Sequence, residues 1–190
     1  MIYPYEGKYP NIHPSAFITD NVVIVGDVEI GEQASLWFGT VARGDVHYIK
    51  IGARTNVQDN TVLHVTWKKN PLNIGADVTI GHGAMLHGCT VHDAALIGMR
   101  STILDKAVIE PESLIAAGTL VLEKFVVPEG SLVAGVPGRI IRKLSDEERS
   151  GIRQSAKNYL HYVDQYKAHG DLDNPLSVSE YFKRYDELPK

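Results

Sequence analysis

The feature that most constrains the fold of this chain is an aliphatic residue at every sixth position over most of its length. The series slips by three residues after Ala42, is interrupted at residues 65–73, and slips by one residue after Leu86. Small or β-branched residues often follow four positions later, as at Ala16 and Val22. The aliphatic positions are Ile12, Ile18, Ile24, Ile30, Leu36, Ala42, Ile51, Val57, Leu63, Ile74, Ile80, Leu86, Val91, Ile97, Ile103, Ile109, Ile115, Val121, Val127 and Val133.

Such a repeat predicts short strands separated by turns, with three strands to each coil. The aliphatic side chains then point inward and stack on their equivalents in the next coil, about 4.8 Å away. We therefore expect an all-β solenoid, a parallel β-helix of triangular section, over residues 12–140. Residues 1–11 are expected to form a lead-in to it.

A helix is expected after the solenoid. Pro and Gly end the repeat within residues 133–139, and the sequence Ser-Asp-Glu-Glu at 145–148 has the pattern of a capping box. The apolar residues at helical spacing are Ile152, Ala156, Tyr159, Leu160, Val163 and Tyr166. Gly170 stops the helix, which is expected to pack along the coil or on a neighbouring subunit. The C-terminal region, residues 145–190, ends in a short segment at 178–188 that is compatible with a second helix.

Composition narrows the function classes. The formal net charge of −4 argues against non-specific binding to nucleic acid or to an anionic membrane. No apolar run approaches the roughly 20 residues needed to cross a bilayer, and the first residues lack the pattern of a signal peptide. The single cysteine, Cys89, cannot form an internal disulfide and is expected to be a small core residue. We therefore expect a cytoplasmic protein without nucleic-acid or membrane partners.

Three of the eight histidines fall inside the regular repeat, and the repeat predicts where they point. His64 follows Leu63 and His87 follows Leu86, so both occupy the same outward position on one face, one coil apart. A strand spacing of about 4.8 Å allows two imidazoles to share one ion. His82 lies on the preceding face, with Asp59 beneath it.

A corner of the prism separates His82 from the other two histidines within one chain. If three prisms pack side by side, the face with His64 and His87 can oppose the His82 face of the next copy. Three neutral imidazoles and a water form the arrangement of a catalytic zinc with an open fourth position. This interpretation predicts metal sites at subunit boundaries.

The order of motifs resembles one known family. Arg-Gly-Asp at 43–45 and Asn-Val-Gln-Asp at 56–59 stand in sequence with His64, His82 and His87. Over residues 8–168, the chain resembles the γ-class carbonic anhydrases of the hexapeptide-repeat superfamily. Hexads alone are weak evidence of function because acyltransferases share them, whereas the histidine spacing together with these motifs is far more specific.

The resemblance implies a left-handed β-helix that forms a homotrimer and hydrates CO₂ reversibly to bicarbonate. It implies Zn²⁺, in some members Fe²⁺ or Co²⁺, bound by His64 and His87 of one subunit and His82 of its neighbour. The positions that match other site residues of the family are Arg43, Asp45, Asn56, Gln58, Asp59 and Tyr159. Arg43 and Asp45 match residues that organise the interface near bicarbonate. Gln58 matches a residue that orients the metal-bound hydroxide.

Two departures from the family pattern concern proton export. The archetypal enzyme has an acidic loop after its first histidine, with a glutamate that shuttles protons, whereas residues 65–73 here contain no acid. The archetype also has a second acid beside the aspartate of the Arg/Asp pair, where this chain has Val46. No shuttle acid is therefore evident, which puts the turnover rate in question.

Other interpretations remain open at this stage. One alternative is that Arg43 and Asp45 serve merely as an inter-subunit ion pair, without a role in an active site. Another is that Gln58 and Asp59 are simply polar residues at a strand corner. Of the remaining histidines, His92 occupies a turn position and is expected to be structural. The others are expected to be solvated: His13, His47, His161 and His169. Two rival functions are a hexapeptide acyltransferase that uses acyl-CoA with one histidine as general base, and a metal-stapled trimer with weak or thioesterase-like hydrolytic activity.

Overall fold

A computed structural model of the protein describes residues 1–170, so the segment at 178–188 lies outside the described residues. The described chain forms a left-handed parallel β-helix of about seven coils, followed by one helix. The predicted fold class is confirmed.

Most strands are only two or three residues long, because a turn follows each side of the triangle. The first eight are β1 (Ile2–Tyr3), β2 (Asn11–Ile12), β3 (Phe17–Ile18), β4 (Val23–Ile30), β5 (Ser35–Leu36), β6 (Val41–Ile51), β7 (Asn56–Val57) and β8 (Val62–His64). The next six are β9 (Leu72–Ile74), β10 (Thr79–Ile80), β11 (Met85–His87), β12 (Thr90–Val91), β13 (Leu96–Ile97) and β14 (Thr102–Ile103). The last six are β15 (Val108–Ile109), β16 (Leu114–Ile115), β17 (Leu120–Val121), β18 (Val126–Val127), β19 (Ser131–Gly135) and β20 (Gly138–Lys143).

The strands stack into three faces, which we number in the order in which the chain visits them from β6 onward. Face I contains the first half of β6 with β8, β11, β14 and β17. Face II contains the second half of β6 with β9, β12, β15 and β18. Face III contains β3, β5, β7, β10, β13, β16 and β19, to which β20 is added at the end. Since β4 and β6 run through a corner without a break, faces I and II form one sheet.

The aliphatic positions predicted to point inward form the core. From Ile24 to Val133, each of them is at most 4% exposed. Each stacks on its equivalent, as Leu86 does between Leu63 and Ile103 on face I. Burying one such side chain contributes about 1.5–3 kcal/mol, so the column of stacked residues is the main favourable term in the stability of the solenoid. Ile12 is only partly buried because the first coil has no complete coil beneath it.

The two ends of the solenoid differ from the regular pattern. Before the first coil, the repeat does not predict the strand β1, which pairs in parallel with β4. After the last coil, the chain turns at Val136–Pro137 and returns as β20, antiparallel to β19. The expected break at Pro137 and Gly138 is therefore a hairpin turn. Both additions cover strand edges that would otherwise present an unpaired ladder to other chains.

The predicted helix, α1 (Asp146–His169), begins and ends where the sequence indicates. The Ser145 hydroxyl accepts a hydrogen bond from the Glu148 amide at 3.2 Å, and the Glu148 carboxylate accepts one from the Ser145 amide at 2.8 Å. The capping box is thus present, and Gly170 is the C-terminal cap.

Helix α1 packs along the coil of its own chain, against face III. Val163 is buried in an aromatic cluster with Phe17 and Trp37. Nearer the start of the helix, the hydroxyls of Thr79 and Ser155 lie 3.4 Å apart. In the part of the chain that the structure describes, no helix is long and apolar enough to cross a membrane.

A substitution inside the stack tests the source of stability. Ile109 is fully buried between Val91 and Val127. Ile109→Ala should lower the free energy of unfolding by about 2–5 kcal/mol, because the remaining side chains cannot close the cavity. Val126→Ala, an exposed change on the next strand of face II, should change it by less than about 0.5 kcal/mol. Chemical denaturation at a fixed protein concentration measures both, and equal effects would contradict the stacking argument.

Ion pairs between helix α1 and Glu112 of the solenoid also hold the helix in place, so the stability of the protein should depend on pH. Although burial tends to raise the pKa of Glu112, hydrogen bonds from Arg149 and Arg153 outweigh it and hold this pKa below its ordinary value of 4.5. The stabilisation is therefore present above about pH 4.5 and is lost as the pH falls through the lowered pKa. Glu112→Gln should lower the melting temperature at pH 7 but have little effect near pH 3. Glu123→Gln, at an exposed turn, is the matched control and should have little effect at either pH.

Candidate metal centre

Face I brings His64 and His87 together in the predicted register. The two residues are direct partners on neighbouring coils, and their ring centroids lie 5.1 Å apart. His64 Nδ1 and His87 Nε2 face each other at 3.1 Å. The inward stacking of Leu63 on Leu86 fixes this alignment, because each histidine follows its core residue directly.

Two carboxylates determine which ring nitrogens carry protons. Asp45 Oδ1 lies 3.2 Å from His64 Nε2, and Asp105 Oδ1 lies 2.7 Å from His87 Nδ1. A carboxylate accepts hydrogen bonds, so these are the nitrogens that carry the protons in neutral imidazoles. The two nitrogens that face each other, His64 Nδ1 and His87 Nε2, are then both left with lone pairs.

The donor pair fits a metal ion. Two nitrogens bound to one tetrahedral zinc at 2.0–2.1 Å stand about 3.3 Å apart, close to the observed 3.1 Å. Two opposed lone pairs at this distance make no hydrogen bond with each other, but they can chelate a cation. The outer nitrogens bonded to Asp45 and Asp105 match the carboxylate–histidine pairs that support metal ligands.

Local electrostatics favour the neutral imidazole that metal binding requires. Burial lowers the pKa of His64, and the hydrogen bond to Asp45 offsets this only in part. Burial alone would raise the pKa of Asp45, yet hydrogen bonds from Arg43 and His64 bring it below its ordinary value. Arg43 and Asp45 thus form an ion pair within one chain, which keeps Asp45 ionised as an acceptor for His64.

Face III carries the second group of predicted residues. His82 Nδ1 lies 2.7 Å from Asp59 Oδ2, and the side chain of His82 is 48% exposed. Gln58 Nε2 donates to Asn56 Oδ1 at 3.1 Å, and Asn56 Nδ2 donates to Thr79 Oγ1 at 3.0 Å. The Gln58 carboxamide is thereby oriented from behind, with its oxygen left as an acceptor.

A groove of about 340 Å³ adjoins this second group. Most of its lining is apolar and includes Leu96, Met99 and Leu114. Four polar side chains also line it: Gln58, Thr79, His82 and Ser155. A groove of this composition suits a small weakly polar molecule.

Tyr159 also lies on this side of the molecule. Its ring packs edge-on to Trp37, with centroids 5.5 Å apart. Burial raises the pKa of Tyr159 to about 12, and the negative charge of Asp59 adds to the effect. The phenol therefore stays protonated at neutral pH.

The two groups remain separate in one chain. In residues 1–170 of a single chain, no three His, Cys, Asp or Glu side chains are arranged to hold a metal ion. Face I supplies His64 and His87, and face III supplies His82 across a corner, as the repeat predicts. In the described part of one chain, His82 therefore does not join the pair formed by His64 and His87.

Sequence reasoning missed Asp105, which touches His87, and it misjudged His47. Asp105 follows His87 by 18 residues, which is the length of one regular coil, and this period could have identified it. His47 was expected to be solvated, but it is half-buried beside a cavity of about 410 Å³. Its Nδ1 accepts a hydrogen bond from the Tyr48 amide at 2.9 Å.

The fold is that of a hexapeptide-repeat protein, and the candidate metal ligands lie on two of its faces. Gamma carbonic anhydrase 1, mitochondrial, of Arabidopsis thaliana is 43% identical over 181 residues, which cover 93% of this chain. This chain spans 65% of the length of that relative. A carbonic anhydrase of Geobacillus kaustophilus is 46% identical over 168 residues, which cover 88% of this chain and 92% of the relative.

Among solved structures, a putative acetyltransferase of Bacillus cereus superposes with a TM-score of 0.86 and 45% sequence identity, covering 88% of this chain and 97% of that chain. A scan of protein-family models finds no match. On the identity and coverage of the curated relatives, the chain belongs to the gamma carbonic anhydrase family. The family implies a metal cofactor, and the donor set at His64 and His87 fits one.

The carboxylate behind His87 should affect metal affinity. Asp105→Asn keeps the shape of the side chain but removes its charge, so His87 is no longer held in the tautomer that leaves Nε2 free. We expect zinc affinity to fall about 10–100-fold. A competition titration with a chromogenic chelator measures it.

Asp77→Asn is the matched control, since Asp77 pairs with Arg54 on another corner. This change should leave zinc affinity within about twofold. An unchanged affinity in Asp105→Asn would contradict the assignment of Asp105 as the support of His87.

Proposed function

We propose that the protein is a homotrimeric carbonic anhydrase that hydrates CO₂ reversibly at Zn²⁺ sites between subunits, with Fe²⁺ or Co²⁺ as possible replacements. One observation carries the proposal: His64 and His87 direct two lone pairs at one point, 3.1 Å apart, with a carboxylate behind each ring. Family membership supports the same reaction.

Three copies of the chain can complete three sites if face I of each copy opposes face III of the next. His82 then supplies the third nitrogen, since Asp59 engages its Nδ1 and leaves Nε2 directed outward. A closed ring of three copies uses both faces of every chain and repeats one heterologous contact. The partly exposed apolar residues Met85 on face I and Met99 at the edge of face III suit such a contact.

When bound, the metal acts as a Lewis acid that lowers the pKa of a coordinated water from 15.7 to about 7. The chain supplies the remaining functions. Asp45, Asp59 and Asp105 orient the three imidazoles by accepting hydrogen bonds from their outer ring nitrogens. The Gln58 oxygen, fixed by its bond to Asn56, can accept a hydrogen bond from the attacking water and orient its lone pair.

The reaction joins CO₂ and water into bicarbonate and releases one proton. The apolar groove beside His82 suits CO₂, which is uncharged, and Arg43 offers a cation near the site for the bicarbonate product. The proton must leave through water or buffer, since residues 65–73 provide no acid. Tyr159 remains a candidate pocket residue, limited to donating a hydrogen bond because its phenol is protonated.

The rival functions are less well supported. The acyltransferase hypothesis uses one histidine and leaves the paired lone pairs of His64 and His87 without a purpose. One similar solved structure is named a putative acetyltransferase, whereas several curated relatives of comparable identity are named carbonic anhydrases. A metal-stapled trimer, with or without thioesterase-like activity, differs only in catalysis. The cytoplasmic location stays a prediction from composition.

Mixed trimers test the shared site. One chain carries His82→Ala, and a second chain, with a different tag, carries both His64→Ala and His87→Ala. Neither can complete a site alone, but every trimer that contains both chains has one boundary with all three histidines. Doubly tagged trimers should therefore regain about one third of the wild-type zinc content and CO₂ hydration rate, measured by metal analysis and stopped-flow.

Each alternative has its own result. Mixed trimers as empty as their parents would contradict a site shared between subunits. A zinc-loaded wild-type trimer without CO₂ hydration above background would contradict the enzymatic function. The metal would then have only a structural role between subunits.

A further inference from the structure

Two of the three breaks in the hexapeptide repeat, the slip after Ala42 and the insertion at 65–73, meet around one cavity of about 410 Å³. Its walls come from the N-terminal hairpin at Tyr5–Lys8, from the slip in β6 at residues 44–47, and from the insertion at residues 65–73. Asp45, the partner of His64, lines this cavity. Trp67 and Lys68 of the insertion also line this cavity.

A single carboxylate connects the insertion to the candidate metal centre. Asp105 Oδ1 lies 2.7 Å from His87 Nδ1, and Asp105 Oδ2 accepts a hydrogen bond from the Thr66 hydroxyl at 2.6 Å. Little free space surrounds Asp105 here. A Cβ atom added at Gly88 would collide with Asp105 Oδ1 and come within 2.9 Å of Asn70 Cβ. Asp105 is thus held on one side by a candidate ligand and on the other by the loop.

The end of the insertion is firmly attached, since Leu72 and Asn73 belong to β9 and the Asn70 side chain also hydrogen-bonds Asp105. The segment at 66–69 has fewer contacts with the solenoid. The Lys68 amide donates to the Val46 carbonyl at 3.0 Å, and the Thr66 amide donates to the Asn70 carbonyl at 3.1 Å. Trp67 is 62% exposed, so its ring adds little packing to hold the loop. Because its acceptor is charged, the hydrogen bond from Thr66 to Asp105 is expected to be stronger than the neutral one from the Lys68 amide to Val46.

We propose that the hydrogen bond between Thr66 and Asp105 acts as a latch, through which metal binding at His87 orders the insertion. The ordered insertion then forms one wall of the cavity beside Asp45. Thr66 and Asp105 are both positioning residues. The proposal rests on the metal site of the proposed function and adds a conformational role for the loop.

The coupling has a simple physical origin. Without a metal, two opposed lone pairs at 3.1 Å repel, so the His87 ring gains by turning away and loosening its bond to Asp105. A bound cation removes that repulsion and holds the ring, which keeps Asp105 aligned with Thr66. By reciprocity, loss of the latch must weaken metal binding by the same factor by which metal binding strengthens the latch.

Hydrogen exchange of the loop amides tests the latch, with zinc as the added metal. In the wild-type protein, zinc should slow exchange of the amides of Thr66 and Lys68 about tenfold or more. Thr66→Val keeps the branched shape but removes the hydroxyl, so exchange should be fast with and without zinc. Thr66→Ser retains the hydroxyl and should restore the zinc-dependent protection, which a merely structural role of Thr66 would not require.

Two controls accompany the measurement. Amides in the middle of α1 should exchange at the same rate in all three proteins, and the oligomeric state should not change with zinc. Zinc content is measured on the same samples. Zinc binding without slower loop exchange would overturn the latch while leaving the proposed function intact, and so would equal protection in Thr66→Val. A failure to bind zinc would overturn both.

Discussion

The vertical stacking of aliphatic side chains inside the solenoid is the constraint on which the rest of the structure depends. Each inward residue of the repeat from Ile24 to Val133 lies on its equivalent in the neighbouring coil, and all of them are buried. Because strand residues alternate between inside and outside, a slip of one residue would expose the core and bury the polar positions. The energy of the core therefore fixes the register of every outward side chain.

The candidate metal centre follows from that fixed register. Asp45, His64, His87 and Asp105 come from four successive levels of the solenoid, yet they make a continuous chain of contacts. The carboxylates at its two ends leave the lone pairs of the imidazoles facing each other. A rigid scaffold is important here because the distance between two metal ligands tolerates only small errors. A loop could not hold these nitrogens as well.

Irregular segments are added where the regular scaffold is least constrained. The insertion at 65–73 and the slip in β6 leave the core stack unbroken, because they lie at the corner between faces I and II. This placement allows the chain to build a cavity beside Asp45 without loss of core packing. Although the loop contains no acid, the area still has a carboxylate, since Asp105 reaches the same region from two coils further along the solenoid.

The sequence by itself determined the solenoid, the capped helix and the alignment of His64 with His87, because a strict period converts position in the chain into position in space. The same rule separated His82 from them. Only the tertiary structure decided the contacts that depend on side-chain reach and on the paths of irregular segments. Examples are the bond between Asp105 and Thr66, the half-buried His47 and the hairpin after Pro137. The six-residue repeat specifies where each backbone position lies, but packing and hydrogen bonding decide which partners a side chain contacts.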